Sequence, residues 1–318
     1  MCIKFEEWPH VIYAQQFSRL WLEQEFFPLT DEMEKVFDKG GNNLLSGKRM
    51  VSFFYEPSTR TRSSFEFAMD YLGGKVVFST ENAREFSSAK KGETLRDTIK
   101  VLNRYKPDVI VLRYDQEIGA EIAANVSQVP ILNAGDRHPG QHPTQALLDL
   151  RTILKLLSEI DNKDFVMVGD LFNGRTVRSL SYLLGKFDGV KIYFVSPESA
   201  RMREDVKDYL RRHNVWFTEL SDLRDVAPFA DVIYQTRTQK ECGTSFDRND
   251  HSLGYFIVDR TILDLMGSNA IIMHPLPKVD EITPEVDDDP RAVYLTHQID
   301  SGLFTRMALL KMIISPDS

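Results

Sequence analysis

Cysteine is nearly missing: Cys2 and Cys242 are the two in 318 residues. Two thiols cannot build a disulfide framework or a cysteine-based zinc site, and such scarcity suits a reducing, cytoplasmic compartment. No apolar run approaches the roughly 20 residues that span a bilayer, so no membrane contact is expected. The first residues, MCIKFEEWPH, lack the charged-then-apolar order of a signal peptide. There is no basic surplus either. Lys and Arg number 39 against 47 Asp and Glu, a net charge of −8. That argues against general nucleic-acid binding while leaving room for a local basic pocket. The nucleotide-binding spacing G-x-x-x-x-G-K-[ST] is absent. The loop GDLFNGRTVRSL looks like a dinucleotide turn, but its glycine spacing is wrong for G-x-G-x-x-G. No internal repeat or low-complexity tract occurs.

What is present is a core. Hydrophobic residues make up 42% and charged residues 27%, the balance of a packed globular protein long enough for two domains. From Val51 onward, apolar runs of strand length alternate with helical patterns. RMVSFFY precedes a helix from about Thr61 to Leu72. KVVFST precedes TLRDTIKVLNRY, DVIVLRY precedes EIGAEIAANV, and VPILNAGD precedes the amphipathic PTQALLDLRTILKLL. A second series follows: DFVMVGD with TVRSLSYLLGKF, KIYFVSP with REDVKDYLRRHN, then ADVIYQT and NAIIMHPLP. Strands that are apolar throughout predict burial on both faces, hence parallel sheets covered by helices. The fold class is α/β, in two domains, each a parallel sheet flanked by helices. The helix over 144–157 is the expected hinge. SGLFTRMALLKMII is an apolar terminal helix that needs a surface, with the first domain as the candidate. The acidic EVDDDPR reads as a solvated loop.

The stretch EPSTRTRSSFEF puts Ser58, Thr59, Arg60, Thr61 and Arg62 between a strand and a helix. Ligands of open α/β sheets bind at the carboxyl ends of strands. A helix N-terminus adds free N–H groups and a partial positive charge, which suits phosphate. Hydroxyl donors and a planar guanidinium fork complete an anion site. Ordinary capping would explain one or two such residues, not five donor-bearing side chains in succession. Other stretches are open to two readings. SSAKKGETLRDT is a solvated loop or a mobile basic arm. Arg113, ending DVIVLRY, is a surface residue or points into a ligand crevice. His142 and Gln145 in QHPTQ share one helix face, as a cap with a solvated neighbour or as a polar pair for a ligand. GRT and TRTQKE are charged loops or carboxylate readers. HPLPK follows a buried strand with prolines that fix the chain direction.

PSTRTR followed by SFE resembles the phosphate signature of the carbamoyltransferases, and HPTQ, GRT, TRTQKE and HPLP follow in that family's order, from about Phe53 to Leu310. The resemblance is to the aspartate branch. The ornithine branch shares STRTR and HPTQ but typically carries HCLP and an SMG loop, which this sequence lacks. Arginines and lysine in the candidate pocket also suit a dicarboxylate. The resemblance implies a carbamoyl-phosphate-binding domain over 1–141, an aspartate-binding domain over 142–299, and a helix over about 300–318 that returns to the first. It implies transfer of a carbamoyl group from carbamoyl phosphate to L-aspartate, the committed step of de novo pyrimidine synthesis, without metal or cofactor.

By the same resemblance, Ser58, Thr59, Arg60, Thr61 and Arg113 hold the phosphate. Thr61, Arg113 and His142 face the carbonyl oxygen, and Gln145 with the Leu276 carbonyl and Pro277 receives the carbamoyl amide. Arg175 takes the α-carboxylate region of aspartate, and Arg237 and Gln239 its side chain. Ser87 and Lys91 reach into a neighbouring subunit of a homotrimer, Lys91 also touching aspartate. The proton acceptor is left among Lys91, His142 and the phosphate itself, and a regulatory chain or another pyrimidine enzyme is an open partner. The sequence departs from the family pattern at Arg137–Gly140, Cys242, Lys278 and Ile299–Ser301, which touches pocket tuning more than the reaction. The alternatives are an ornithine or other amino-acid carbamoyltransferase and a catalytically silent scaffold subunit. The second would have lost the phosphate corner, the oxyanion donors or the basic loop, and all three are present.

Overall fold

The computed structural model describes residues 9–137, 140–237 and 256–315. Their contacts divide the chain into two units, Met1–Arg151 with Asp300–Ser318, and Thr152–Ile299.

The first unit is built on four parallel strands in the order β2-β1-β3-β4. These are β1 (Arg49–Phe54), β2 (Lys75–Thr80), β3 (Val109–Arg113) and β4 (Ile131–Asn133). Val11 adds a parallel bridge beside Leu132. β3 is buried along its whole length, as a β-branched run between helices should be. β2 departs from the expectation of burial on both faces. It is an edge strand, and Val77 and Phe78 on it are exposed, because at the end of a sheet the side chains on each face have neighbours on one flank alone. The core gathers Val51, Phe53, Ile99, Ile110, Leu112 and Ala123.

Two helical regions of this unit pack on each other. The helical stretch 19–38 carries Trp21, Phe26 and Met33 inward, and its mixed pattern gave no sequence expectation. The helix His297–Ile314 meets it: Phe304 packs edge-on against Phe37, with ring centroids 5.5 Å apart, and Lys311 pairs with Glu32 at 3.3 Å. Arg151 donates to Ser301 at 3.0 Å and pairs with Glu34 at 2.9 Å.

The second unit holds five parallel strands in the order β7-β6-β5-β8-β9. They are β5 (Asp164–Val168), β6 (Lys191–Val195), β7 (Trp216–Leu220), β8 (Val232–Gln235) and β9 (Ile271–Met273). β7 was not apparent in the sequence, because WFTEL is a half-exposed edge strand with no continuous apolar run. Val166, Val168, Ile233, Ile272 and Tyr294 centre its core. EVDDDPR is not simply solvated. Asp287 pairs with Lys278 at 2.9 Å and accepts from the Tyr294 hydroxyl, and Asp289 holds Arg291 at 2.8 Å. These pairs tie down the chain that returns beside β9, where Ala292 bridges Ile272.

Candidate active site

In both sheets the strand order reverses direction at one place, and the crevice outside the strand ends there is where α/β proteins receive ligands. In the first sheet that place lies between β1 and β3, which pair Phe54 with Arg113. The loop leaving β1 is Tyr55–Ser58, and Arg113 is the last residue of β3. The anion corner and Arg113 therefore stand at the same switch point.

The helix after β1 runs Thr59–Tyr71, two residues earlier than the sequence pattern predicts. Thr59 and Arg60 thus lie in its first turn. Ser58 precedes the helix without capping it by its side chain. Its N–H donates instead to Glu81 at 2.7 Å, and Glu81 also pairs with Arg62 at 3.4 Å. No acidic residue occupies the first turn. Arginine at the positive end of a helix opposes the macrodipole, so this placement is unfavourable unless an anion joins it. Arg62 is a scaffold residue, reaching Ser79 at 3.0 Å.

Thr61 and His142 are both buried, and Thr61 Oγ1 lies 3.5 Å from His142 Nε2. His142 Nδ1 lies 3.4 Å from Thr144 Oγ1. Arg113 is buried, donating to the Ala134 carbonyl at 3.3 Å and pairing with Glu56 at 3.5 Å. Glu56 also stands 4.0 Å from Arg137. Gln145 is buried and donates to Asp149 at 3.0 Å. Glu56, Glu81 and Asp149 were not recognised from the sequence. Each is an acid that fixes a candidate ligand group, and a lone acid beside a motif gives no pattern to find it by.

Ser87 is engaged locally: its hydroxyl donates to Ala83 O at 2.6 Å and accepts from Ala89 N. Lys91 is exposed at the end of the short turn Ser88–Lys91.

In the second unit the reversal falls between β5 and β8. Thr236, just past β8, donates N–H and Oγ1 to Val168 O at 2.8 and 3.0 Å. The approach is so close that a Cβ on Gly169 would lie 2.4 Å from Thr236 O, and Gly169 has φ +114°. Glycine is required there on both counts. The loop then wraps Asp170, which accepts from Asn173 N and Nδ2. This turn delivers Arg175 to the first position of the helix Arg175–Leu184, again with no acid in the first turn. Arg237 directly follows Thr236. The sequence-predicted residues Arg175 and Arg237 thus leave the two strands that flank the reversal. Gln239 and Cys242 lie outside the described residues.

HPLP leaves β9. Leu276 has φ +55° and precedes a cis peptide bond to Pro277. Its N–H donates to His274 Nδ1 at 2.7 Å. That nitrogen therefore accepts, and the proton sits on Nε2, which lies 2.9 Å from Glu281. Burial alone would raise the Glu281 carboxyl, but the His274 hydrogen bond and the backbone donor of Val279 outweigh it and hold it below the usual value. Lys278 is committed to Asp287. Of the other departures, Ser301 is buried against Arg151 and Ile299 is exposed. Gly140 donates to Arg137 O at 2.7 Å.

Two α/β units, each built on a parallel sheet and presenting arginine at its switch point without a neighbouring first-turn acid, define a class of protein that receives anionic ligands at strand ends. Among the described residues no helix can cross a membrane, and no group of three or more His, Cys, Asp or Glu could hold a metal ion.

The aspartate/ornithine carbamoyltransferase carbamoyl-P binding domain matches residues 10–155, and the Asp/Orn binding domain of the same family matches 161–313. The chain belongs to the aspartate/ornithine carbamoyltransferase family. It is 52% identical over 314 residues to the chloroplastic aspartate carbamoyltransferase of Arabidopsis thaliana, covering 98% of this chain and 79% of that one. The structure is similar to the catalytic subunit of the M. jannaschii aspartate transcarbamoylase, with TM-score 0.87 and 42% identity, covering 97% of this chain and 98% of that one. It is also similar to the Trypanosoma cruzi aspartate transcarbamoylase in complex with carbamoyl phosphate and aspartate, with TM-score 0.87 and 39% identity, covering 95% and 94%.

Proposed function

We propose that the protein is an aspartate carbamoyltransferase, joining carbamoyl phosphate to L-aspartate to give N-carbamoyl-L-aspartate and phosphate. The observation that carries this reading is the placement of Arg60, Arg113, Arg175 and Arg237 on the elements that flank the two switch points.

The first unit is the carbamoyl phosphate holder. Ser58, Thr59, Arg60 and Arg113 bind the phosphate, with the helix N-terminus adding N–H donors. The aspartate amine attacks the carbonyl carbon and negative charge grows on the carbonyl oxygen. Thr61, Arg113 and His142 are the donors for that oxygen, and losing one such donor costs about 2.7–4 kcal/mol of transition-state stabilisation. The C–O bond to phosphate then breaks, phosphate leaves with the electron pair, and the proton shed by the amine nitrogen passes to Lys91, His142 or the phosphate itself. Gln145 and the Leu276 carbonyl, beside Pro277, receive the carbamoyl NH2. Arg175 and Arg237, with Gln239, read the two carboxylates of aspartate. Because the second unit offers cations, an ornithine side chain would meet repulsion there.

Ser87 and Lys91 act in an adjacent subunit on this reading, and a heterologous contact that repeats must close into a ring or polymerise. A homotrimer is the proposed assembly. Support comes from the exposed apolar residues Phe67, Val77, Phe78 and Phe86 near this segment in sequence. Mixing inactive Lys91→Ala with inactive Arg60→Ala chains should regenerate some activity. Hybrids that form and stay dead would refute the shared site. The proposed compartment is the cytoplasm, resting on the scarcity of cysteine, although the Arabidopsis relative is named chloroplastic. A fluorescent fusion would test it.

The test of substrate assignment is Arg237→Ala. Aspartate binding should weaken at least tenfold while carbamoyl phosphate binding stays within twofold. Equal losses in calorimetry would overturn it.

A further inference from the structure

Gln145 and Asp149 lie one turn apart on the helix Pro143–Leu157, so both face the same side. Gln145 Nε2 donates to Asp149 Oδ1 at 3.0 Å, and Asp149 is fully buried. A carboxylate accepts hydrogen bonds and donates none, whereas an amide has a donor end and an acceptor end. Contact with Asp149 therefore decides the orientation of Gln145: NH2 toward Asp149, Oε1 away from it. A buried carboxylate is costly without a compensating charge. Arg306, on the helix His297–Ile314, supplies one. Burial pulls its pKa down to about 10 while the charge of Asp149 pulls it up. Arg306 is itself fixed, donating to Gly302 O at 3.0 Å and lying over the Phe65 ring at 5.2 Å. Phe65 belongs to the helix whose first turn carries Thr59–Thr61.

We infer that Asp149, balanced by Arg306, is a positioning residue that turns the Gln145 carbonyl oxygen toward the carbamoyl NH2 and so lets the site tell a carbamoyl group from an acetyl group. The inference rests on the carbamoyl phosphate reading above. If Gln145 were free to turn, its NH2 would meet the carbamoyl NH2, donor against donor. Acetyl phosphate carries a methyl group in that place and offers no donor to read. Losing the orientation should therefore fall on carbamoyl phosphate and spare acetyl phosphate. Neither Asp149 nor Arg306 touches substrate on this account.

The test is Asp149→Asn in the full chain. Asparagine offers Gln145 either a donor or an acceptor, so the orientation is no longer fixed. Initial rates with saturating aspartate give the KM for carbamoyl phosphate, and competition gives the inhibition constant of acetyl phosphate. The expected result is a rise of about tenfold in the first, the scale of one buried hydrogen bond, with less than a twofold change in the second. Equal losses for both ligands would mean a merely structural role and overturn the inference. In a Gln145→Met background, adding Asp149→Asn should leave the ratio of the two constants unchanged; a further change would mean that Asp149 does not act through Gln145. If Asp149→Asn fails to fold, Arg306→Gln, which removes the balancing charge and so favours a protonated Asp149 that no longer fixes Gln145, should give the same split in smaller measure, and equal losses there would also overturn it. A wild-type protein that consumes no carbamoyl phosphate would sink the functional reading; an active wild type with unselective variants would sink the inference alone.

Discussion

Arg84 grips Asp115 with two hydrogen bonds, Nε to Oδ2 at 2.6 Å and Nη2 to Oδ1 at 2.5 Å. The guanidinium also lies over the rings of Tyr55 and Tyr114, 5.4 and 6.0 Å from their centroids. Tyr55 follows β1, and Tyr114 and Asp115 follow β3, so one arginine ties the segment carrying Ser87 and Lys91 to the first sheet's switch point. The pair raises the Arg84 pKa, chiefly through the Asp115 hydrogen bond. Arg84→Ala should speed amide hydrogen exchange over residues 85–92 and raise the KM for aspartate several-fold, while the melting temperature falls by only a few degrees. Unchanged protection in that segment would show that the pair anchors nothing.

Arg60 lies exposed in the first turn of its helix. Arg60→Ala leaves no buried cavity, so the melting temperature should hold within about two degrees. Activity should fall at least about a hundredfold, the scale of losing one donor to developing charge. Near-normal turnover in the folded variant would remove the phosphate assignment.

His10 gives a prediction in pH. Burial lowers its pKa from 6.5 to about 4, and its Nδ1 accepts the Ile131 N–H at 3.0 Å. Between pH 6.5 and about 4 the unfolded chain therefore binds a proton that the folded chain excludes. Stability from this residue is complete above pH 6.5 and declines as pH falls toward 4. His10→Asn keeps an acceptor but does not titrate, so urea midpoints of the two proteins should diverge from their pH 7 difference across that window. Parallel curves from pH 7 to 4 would refute the assignment.

Gly169→Ala should destabilise by roughly 1–3 kcal/mol or more, because the new methyl meets the Thr236 carbonyl and the backbone has positive φ. Gly267→Ala is the control, since nothing lies within 4 Å of its added carbon. Urea melts that fail to separate the two variants would contradict the close approach of β5 and β8.

The parallel strands were legible in the sequence because burial on both faces writes continuous apolar runs, as in β3 and β5. The edge strand β7 escaped because WFTEL has no such run. The stretch 19–38 escaped because its apolar residues follow no simple helical stripe. Candidate ligand groups were legible where donors cluster, as at Ser58–Arg62, and through the family resemblance at Arg175 and Arg237. The acids that hold them were not. Glu56 and Arg113 are far apart in the chain, and Asp149 is one of many acids at helical spacing. Their roles follow from who faces whom after folding, which spacing alone does not encode.

The most direct test offers the wild-type protein 13C-labelled carbamoyl phosphate with L-aspartate and L-ornithine together in one tube, and follows the carbamoyl carbon by NMR. The account predicts that the label passes to N-carbamoyl-L-aspartate, with phosphate released in equal amount and no detectable citrulline. Citrulline as the main product, or label lost only to hydrolysis while both amino acids remain untouched, would contradict it.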